Sequence, residues 1–232
     1  MISFIYMRKQ PLVTGEYYHL YNRGVDKRDI FESKEDMDRF IESMNEFNQI
    51  NTVGSLRNQK KHQTAPKALS GSKELLVAFV VYCINPNHFH FVLKQLVDGG
   101  VSKFMQKLQA GYTNYFNAKH TRTGALFQGT FKSQIIQNEN YFNKIIGYVS
   151  KNYQVHSIPK HKSNFVFASD YEYENGNFKI ISREEGAKIL EIFGGIKSFE
   201  RHCNEIVSII RKERGETSLL AEDTIPDSPD SA

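Results

Sequence analysis

The stretch "NPNHFHFVLKQ", residues 85–95, decides how the chain is read. It opens on an Asn-Pro-Asn turn signal and continues as an apolar run interrupted by two histidines. Side chains on a strand alternate between faces, so His88, His90 and Val92 share one side while Phe89, Phe91 and Leu93 share the other. The apolar set can enter a core. The imidazoles are then left on the opposite face, predicted to be open, where positions i and i+2 can reach one divalent ion together.

The segment before the turn, "LLVAFVVYCI" (75–84), is a second β-rich run, so the two form an antiparallel hairpin. Upstream, "EYYHLYNRG" (16–24) predicts a strand entering a loop. "SKEDMDRFIESMNEFNQI" (33–50) follows, with Ser33 as a helix cap and Met37, Phe40, Ile41 and Met44 at helical spacing. Downstream, residues 99–120 carry the stripe Phe104, Met105, Leu108, Tyr112, Tyr115 and Phe116. "ALFQGTFKSQII" (125–136) reads as extended, and residues 138–154 return to helical spacing. The order strand, helix, hairpin, helix, strand, helix predicts an α+β fold of ferredoxin-like topology, with a mainly antiparallel sheet and helices packed on one face.

On the late helix, Tyr141, Ile145, Tyr148 and Asn152 recur at four, three and four residues and lie on one face. If that face crosses the sheet edge toward His88 and His90, the Asn152 amide oxygen can complete a three-ligand site with the Tyr148 phenol beside it. A tyrosine at this spacing is equally an ordinary core aromatic with a wet hydroxyl.

The chain has 232 residues, 40% of them hydrophobic, enough for a substantial core. Residues 216–232 hold five acids and no basic residue. The first 215 therefore carry 30 basic against 21 acidic side chains, a net +9 that favours polyanions. Cys83 and Cys203 fit neither a disulfide nor a zinc spacing and suggest a reducing interior. With no secretory signal and no apolar run of membrane-spanning length, the expectation is a soluble cytoplasmic protein without a membrane partner. Residues 54–74 are basic and poor in apolar residues, as a flexible insertion would be; 159–214 suggest a C-terminal extension with short helices, and 215–232 a disordered acidic tail.

Four blocks, "YHLYNRGVDKRDIFESKEDMDRF", "NHFHFVLKQ", "GALFQGTFKSQ" and "YFNKIIGYVSKN", stand in the order found in the single-tyrosine HUH transposases, and the chain resembles that family. It is closest to the REP-associated branch of the insertion-sequence 200-like type. The resemblance implies an HUH endonuclease fold over residues 1–158 and a metal-dependent enzyme that cleaves and rejoins single-stranded DNA beside hairpin or palindromic repeats through a 5′-phosphotyrosine. It makes Tyr148 the nucleophile, with Tyr141 as rival and Tyr112 and Tyr115 more distant. His88, His90 and Asn152 become ligands of a divalent ion, Mg2+ or Mn2+. Arg23, Lys132, Lys151, Tyr17, Tyr21 and Phe127 are candidate DNA contacts, and the resemblance leaves the assembly open between a homodimer and a monomer. The chain departs from the family where "QGTFKS" (128–133) replaces a Gly-Arg-Phe pattern, placing Thr130 where relatives carry a basic residue. The alternative is a non-catalytic single-stranded nucleic-acid binder on the same fold.

Overall fold

In a computed structural model the described residues are 11–51, 74–156, 158 and 160–216. The bulk of the basic insertion and the acidic tail, for which flexibility and disorder are expected, lie outside them.

Strand β1 (Tyr17–Arg23) leads through a loop to helix α1 (Lys34–Glu46), then to the hairpin β2 (Val77–Asn85) and β3 (His88–Gln95). Helix α2 (Gly100–Lys119), strand β4 (Lys132–Ile135), helix α3 (Glu139–Ser150) and the single turn α4 (Asn152–Val155) follow. A two-residue strand β5 (Phe167–Ala168) and helices α5 (Asp170–Asn175), α6 (Arg183–Ile192) and α7 (Ile196–Glu216) complete the chain. The sheet order is β4-β1-β3-β2-β5. Every neighbouring pair of strands is antiparallel, so the first four strands have the ferredoxin-like arrangement that the sequence predicts.

Local chemistry sets the ends of these elements. Ser33 caps α1 as expected: its hydroxyl accepts from the Asp36 amide while Asp36 accepts from the Ser33 amide. The same carboxylate, fully buried, receives the Lys119 amine at 2.8 Å and the Tyr115 hydroxyl at 3.1 Å, so a cap on α1 also anchors the end of α2. At the tip of the hairpin Asn85 pairs with His88 across a turn made by Pro86 and Asn87. The Pro86 carbonyl accepts amides from Ile30 and Phe31, which holds the tip against the β1–α1 loop.

Phe89, Phe91 and Leu93 are completely buried, as are Leu20 beside them and Phe40, Phe104 and Tyr112 on α1 and α2. Phe40 packs on Phe89 and Phe79 on Phe104, which places both helices on this face. Helices confined to one face describes this four-strand core and not the whole chain. The histidine face, expected to be open, is roofed by α3, whose Tyr148 lies against His90, and α7 packs on α3 in turn. A second correction concerns the helix expected over 138–154. It breaks at Lys151, whose φ of −122° and ψ of 31° leave the helical region. The Lys151 amine is drawn to Asn204 on α7 at 2.9 Å, and the chain resumes as α4.

The C-terminal extension is continuous with this body. β5 extends the sheet at β2, and α7, with 21 residues, is the longest helix described rather than a short one. Gly147 lets α7 approach closely: a Cβ there would lie 2.8 Å from the Ile206 side chain.

Candidate active site

The registers of β1 and β3 place Tyr21 beside His90, Arg23 beside His88 and His19 beside Val92, all on the roofed face. The His19 ring stacks on His90 and on Tyr21, with centroids 5.2 Å apart in both pairs. Its Nε2 lies 3.0 Å from His90 Nδ1. A proton shared there leaves His90 Nε2 as the free ligand atom, so His19 orients His90. From α3, the Tyr148 ring meets His90 edge-on at 5.4 Å and His19 at 6.3 Å.

His88 is set from the hairpin tip. Asn87 Oδ1 is only an acceptor, so the 2.6 Å contact requires His88 Nδ1 to be protonated and leaves a lone pair on Nε2. That lone pair and Asn152 Oδ1 lie 3.1 Å apart, and both accept from the single Asn85 Nδ2 at 2.9 Å and 2.7 Å. Two acceptors converging in this way suit a cation: donors about 2.1 Å from one ion stand roughly 3.0–3.4 Å apart. A third imidazole joins them. The His156 ring is 4.7 Å from His88, and ligand atoms of His88, His90 and His156 all lie within 4.8 Å of one another.

Burial sets the protonation of this cluster. It holds His88 down to about 4, with the Asn152 contact opposing, and His156 to about 2. His90 falls well below the usual histidine range, and His19 falls to about 3. All four are neutral near pH 7, the form in which imidazole binds metal. The Nε2 of His156, the Nδ2 of Asn152 and the Nδ1 of His19 are buried without a hydrogen-bond partner. The donor set therefore fits a divalent cation. Tyr148 is 2% exposed, and burial raises its pKa while Arg214 and Asn152 act in the opposite direction.

The structure therefore brings together Tyr148, His88, His90 and Asn152. The rival Tyr141 is also buried, and its hydroxyl lacks a hydrogen-bond partner, but it is Tyr148 that contacts the imidazoles. Tyr112 and Tyr115 bond to Ile30 and Asp36 on the other face. Among the DNA-contact candidates, Tyr21 and Arg23 remain on the site face, and Lys132 lies over the Tyr21 ring at 5.7 Å. Two others do not: Phe127 is in the core against Phe89, and Lys151 is 5% exposed and bonded to Asn204. Tyr17 shares the face of Tyr21, but its ring lies against Phe142 of α3 and its hydroxyl donates to Glu185.

Sequence reasoning missed His156, although four residues beyond Asn152 continues the same helical step. It left His19 without a role, although His19 stands two residues from Tyr21 on one face of β1. Arg214 had no legible signal, since nothing local ties residue 214 to residue 148.

The family comparison covers part of the chain that holds this cluster. Residues 54–154 match the family model described as transposase, IS200 like. Over that segment, somewhat under half of the chain, the sequence is similar to IS200-like transposases. Transposases cut and join DNA strands, so the chain falls among DNA-cleaving enzymes. The matched segment contains His88, His90, Tyr148 and Asn152, while His19, His156 and Arg214 lie outside it. No curated protein matches this chain. Two solved structures align with it distantly. A REP-associated tyrosine transposase bound to a REP hairpin is 12% identical over 77% of this chain and 91% of that one, with a TM-score of 0.46. The tRNA(His) guanylyltransferase of Saccharomyces cerevisiae is 11% identical over 95% of this chain and 85% of that one, with a TM-score of 0.29. Among the described residues no helix is long and apolar enough to cross a membrane.

Proposed function

We propose that this chain cleaves single-stranded DNA beside a hairpin or palindromic repeat, using Tyr148 as nucleophile, and rejoins strands at the same site. The observation that carries this reading is the convergence of one phenol, one amide oxygen and three neutral imidazoles at a single point on the sheet.

Tyr148 Oη attacks phosphorus, the bond from phosphorus to O3′ breaks, and the departing oxygen takes a proton to become a 3′-hydroxyl. The product is a 5′-phosphotyrosine that retains the bond energy, so a second 3′-hydroxyl reverses the step without a nucleotide cofactor. His88, His90 and Asn152 would hold a divalent cation, with His156 as a further donor. Bound there, such an ion supplies Lewis-acid polarisation of phosphate oxygens. A third imidazole moves the preference from Mg2+ toward Mn2+ or another first-row ion. His19 fixes the tautomer of His90, Asn87 that of His88, and the Tyr148 ring is held edge-on to both His19 and His90. Tyr21, Arg23 and Lys132 lie where an incoming strand would cross, offering one ring for stacking and two charges for phosphates.

The test uses end-labelled single-stranded DNA carrying a hairpin, with Mn2+ or Mg2+. A protein–DNA adduct that survives denaturing electrophoresis, metal-dependent and absent in Tyr148→Phe, supports the reading. Free products without an adduct would indicate water as nucleophile, and binding without cleavage would leave a non-catalytic binder.

A further inference from the structure

Helix α7 lies outside the family-matched segment yet runs alongside the helix that carries the nucleophile. His202 bonds to the Asn143 carbonyl at 2.8 Å, Ile206 packs at Gly147, and Arg211 bonds through Nε to the Gln154 carbonyl at 2.9 Å. The contacts advance together along both segments, so the two run parallel. One turn beyond Arg211, the same helix reaches Arg214. Its charge acts on His88, His90 and His156 as well as on Tyr148, which places all four within its Coulomb reach.

Arg214 Nη2 is buried and has no hydrogen-bond partner. A cationic N–H donor left in this state is costly, and it sits where the neighbours are neutral imidazoles and a neutral phenol. The groups that act most strongly on Tyr148, His88 and His156 are cations and neutral side chains rather than carboxylates. An anion entering beside Tyr148 would satisfy the donor, and a guanidinium fork matches the spacing of phosphate oxygens.

We propose that Arg214 is a catalytic residue of this transposase: it donates to a non-bridging oxygen of the scissile phosphate and offsets the charge that builds there as the Tyr148 oxygen attacks. The C-terminal extension is then part of the catalytic centre. The guanidinium remains protonated throughout and exchanges no proton with substrate. This inference rests on the reading of Tyr148 as nucleophile.

The experiment measures single-turnover adduct formation by the parent, Arg214→Gln and Arg214→Ala on two DNAs that differ at one place. One carries the natural scissile phosphate and the other a methylphosphonate, which lacks the negative oxygen. On natural DNA the Gln variant forms adduct slower by roughly 10- to 100-fold. On methylphosphonate DNA the gap between variant and parent closes to within about threefold, because the charge that Arg214 offsets is gone. A merely structural arginine would slow both substrates alike, and that result, or an unslowed Gln variant, overturns the proposal. If the Ala variant fails to fold by circular dichroism, the Gln variant, which keeps an amide donor near the same position, carries the comparison. Absence of adduct from the parent itself would overturn the tyrosine reading first and this inference with it.

Discussion

The two faces of β3 come from alternate residues of one strand and are held in opposite ways. On one, Phe89, Phe91 and Leu93 are completely buried among aromatic rings of α1 and α2, and each contributes about 1.5–3 kcal/mol by leaving water. On the other, His88 and His90 are almost as thoroughly buried, 6% exposed, but beside groups whose polar atoms are only partly satisfied. The first face stabilises the fold. The second draws on that stability to keep uncharged, under-bonded donors at fixed spacing, which is the arrangement a cation or phosphate completes.

The largest effect that sharpens this contrast is at the nucleophile. Tyr148→Phe removes one oxygen, and denaturing gels are expected to show no DNA adduct, while Tyr141→Phe retains it; adduct lost only in the second would reverse their roles. Next come paired substitutions on the two faces. Phe89→Ala lowers stability by about 3–5 kcal/mol in urea unfolding. His90→Ala is expected to abolish tight Mn2+ or Co2+ binding in calorimetry while costing much less stability, and equal losses of stability would erase the distinction between the faces.

Smaller still is His19→Phe, which keeps the stacking and removes the contact to His90 Nδ1. Metal affinity is expected to fall about 10- to 100-fold with little change in melting temperature. Acid is the gentlest probe. The unfolded imidazoles protonate near 6.5, but the folded chain resists until about 4 at His88, 3 at His19 and 2 at His156. Their contribution to stability is therefore complete above pH 6.5 and is lost as pH falls from there toward 4 and below. Urea midpoints compared at pH 7 and pH 5 should show the decline, and a His19→Phe chain should lose less of it.

How much of this was legible follows from the range of each signal. The alternation through residues 88–93 and the helical step from Tyr148 to Asn152 are local; the pairing of His88 with His90 and of Tyr148 with Asn152 follows from them, while the meeting of the two pairs depends on where α3 packs. His156 is nearly as local and was within reach of the same rule. The roof over the histidine face was not. α3 turns onto that face because α7 packs along it and Lys151 is drawn to Asn204 more than fifty residues away. The lysine itself shows the cost of reading charge alone: a basic residue beside a catalytic motif suggests a phosphate contact, and here it joins two helices.

The bare flank of α3 at Gly147 carries a last implication. Since Ile206 fills that notch, a version of the gene that stopped just before α7 would still encode every histidine of the cluster, yet its product would display a greasy groove to the cell. Such a product would be a ready target for proteases and for self-association, so trimming of the reading frame from its far end is expected to be removed by turnover before any change in DNA chemistry is felt.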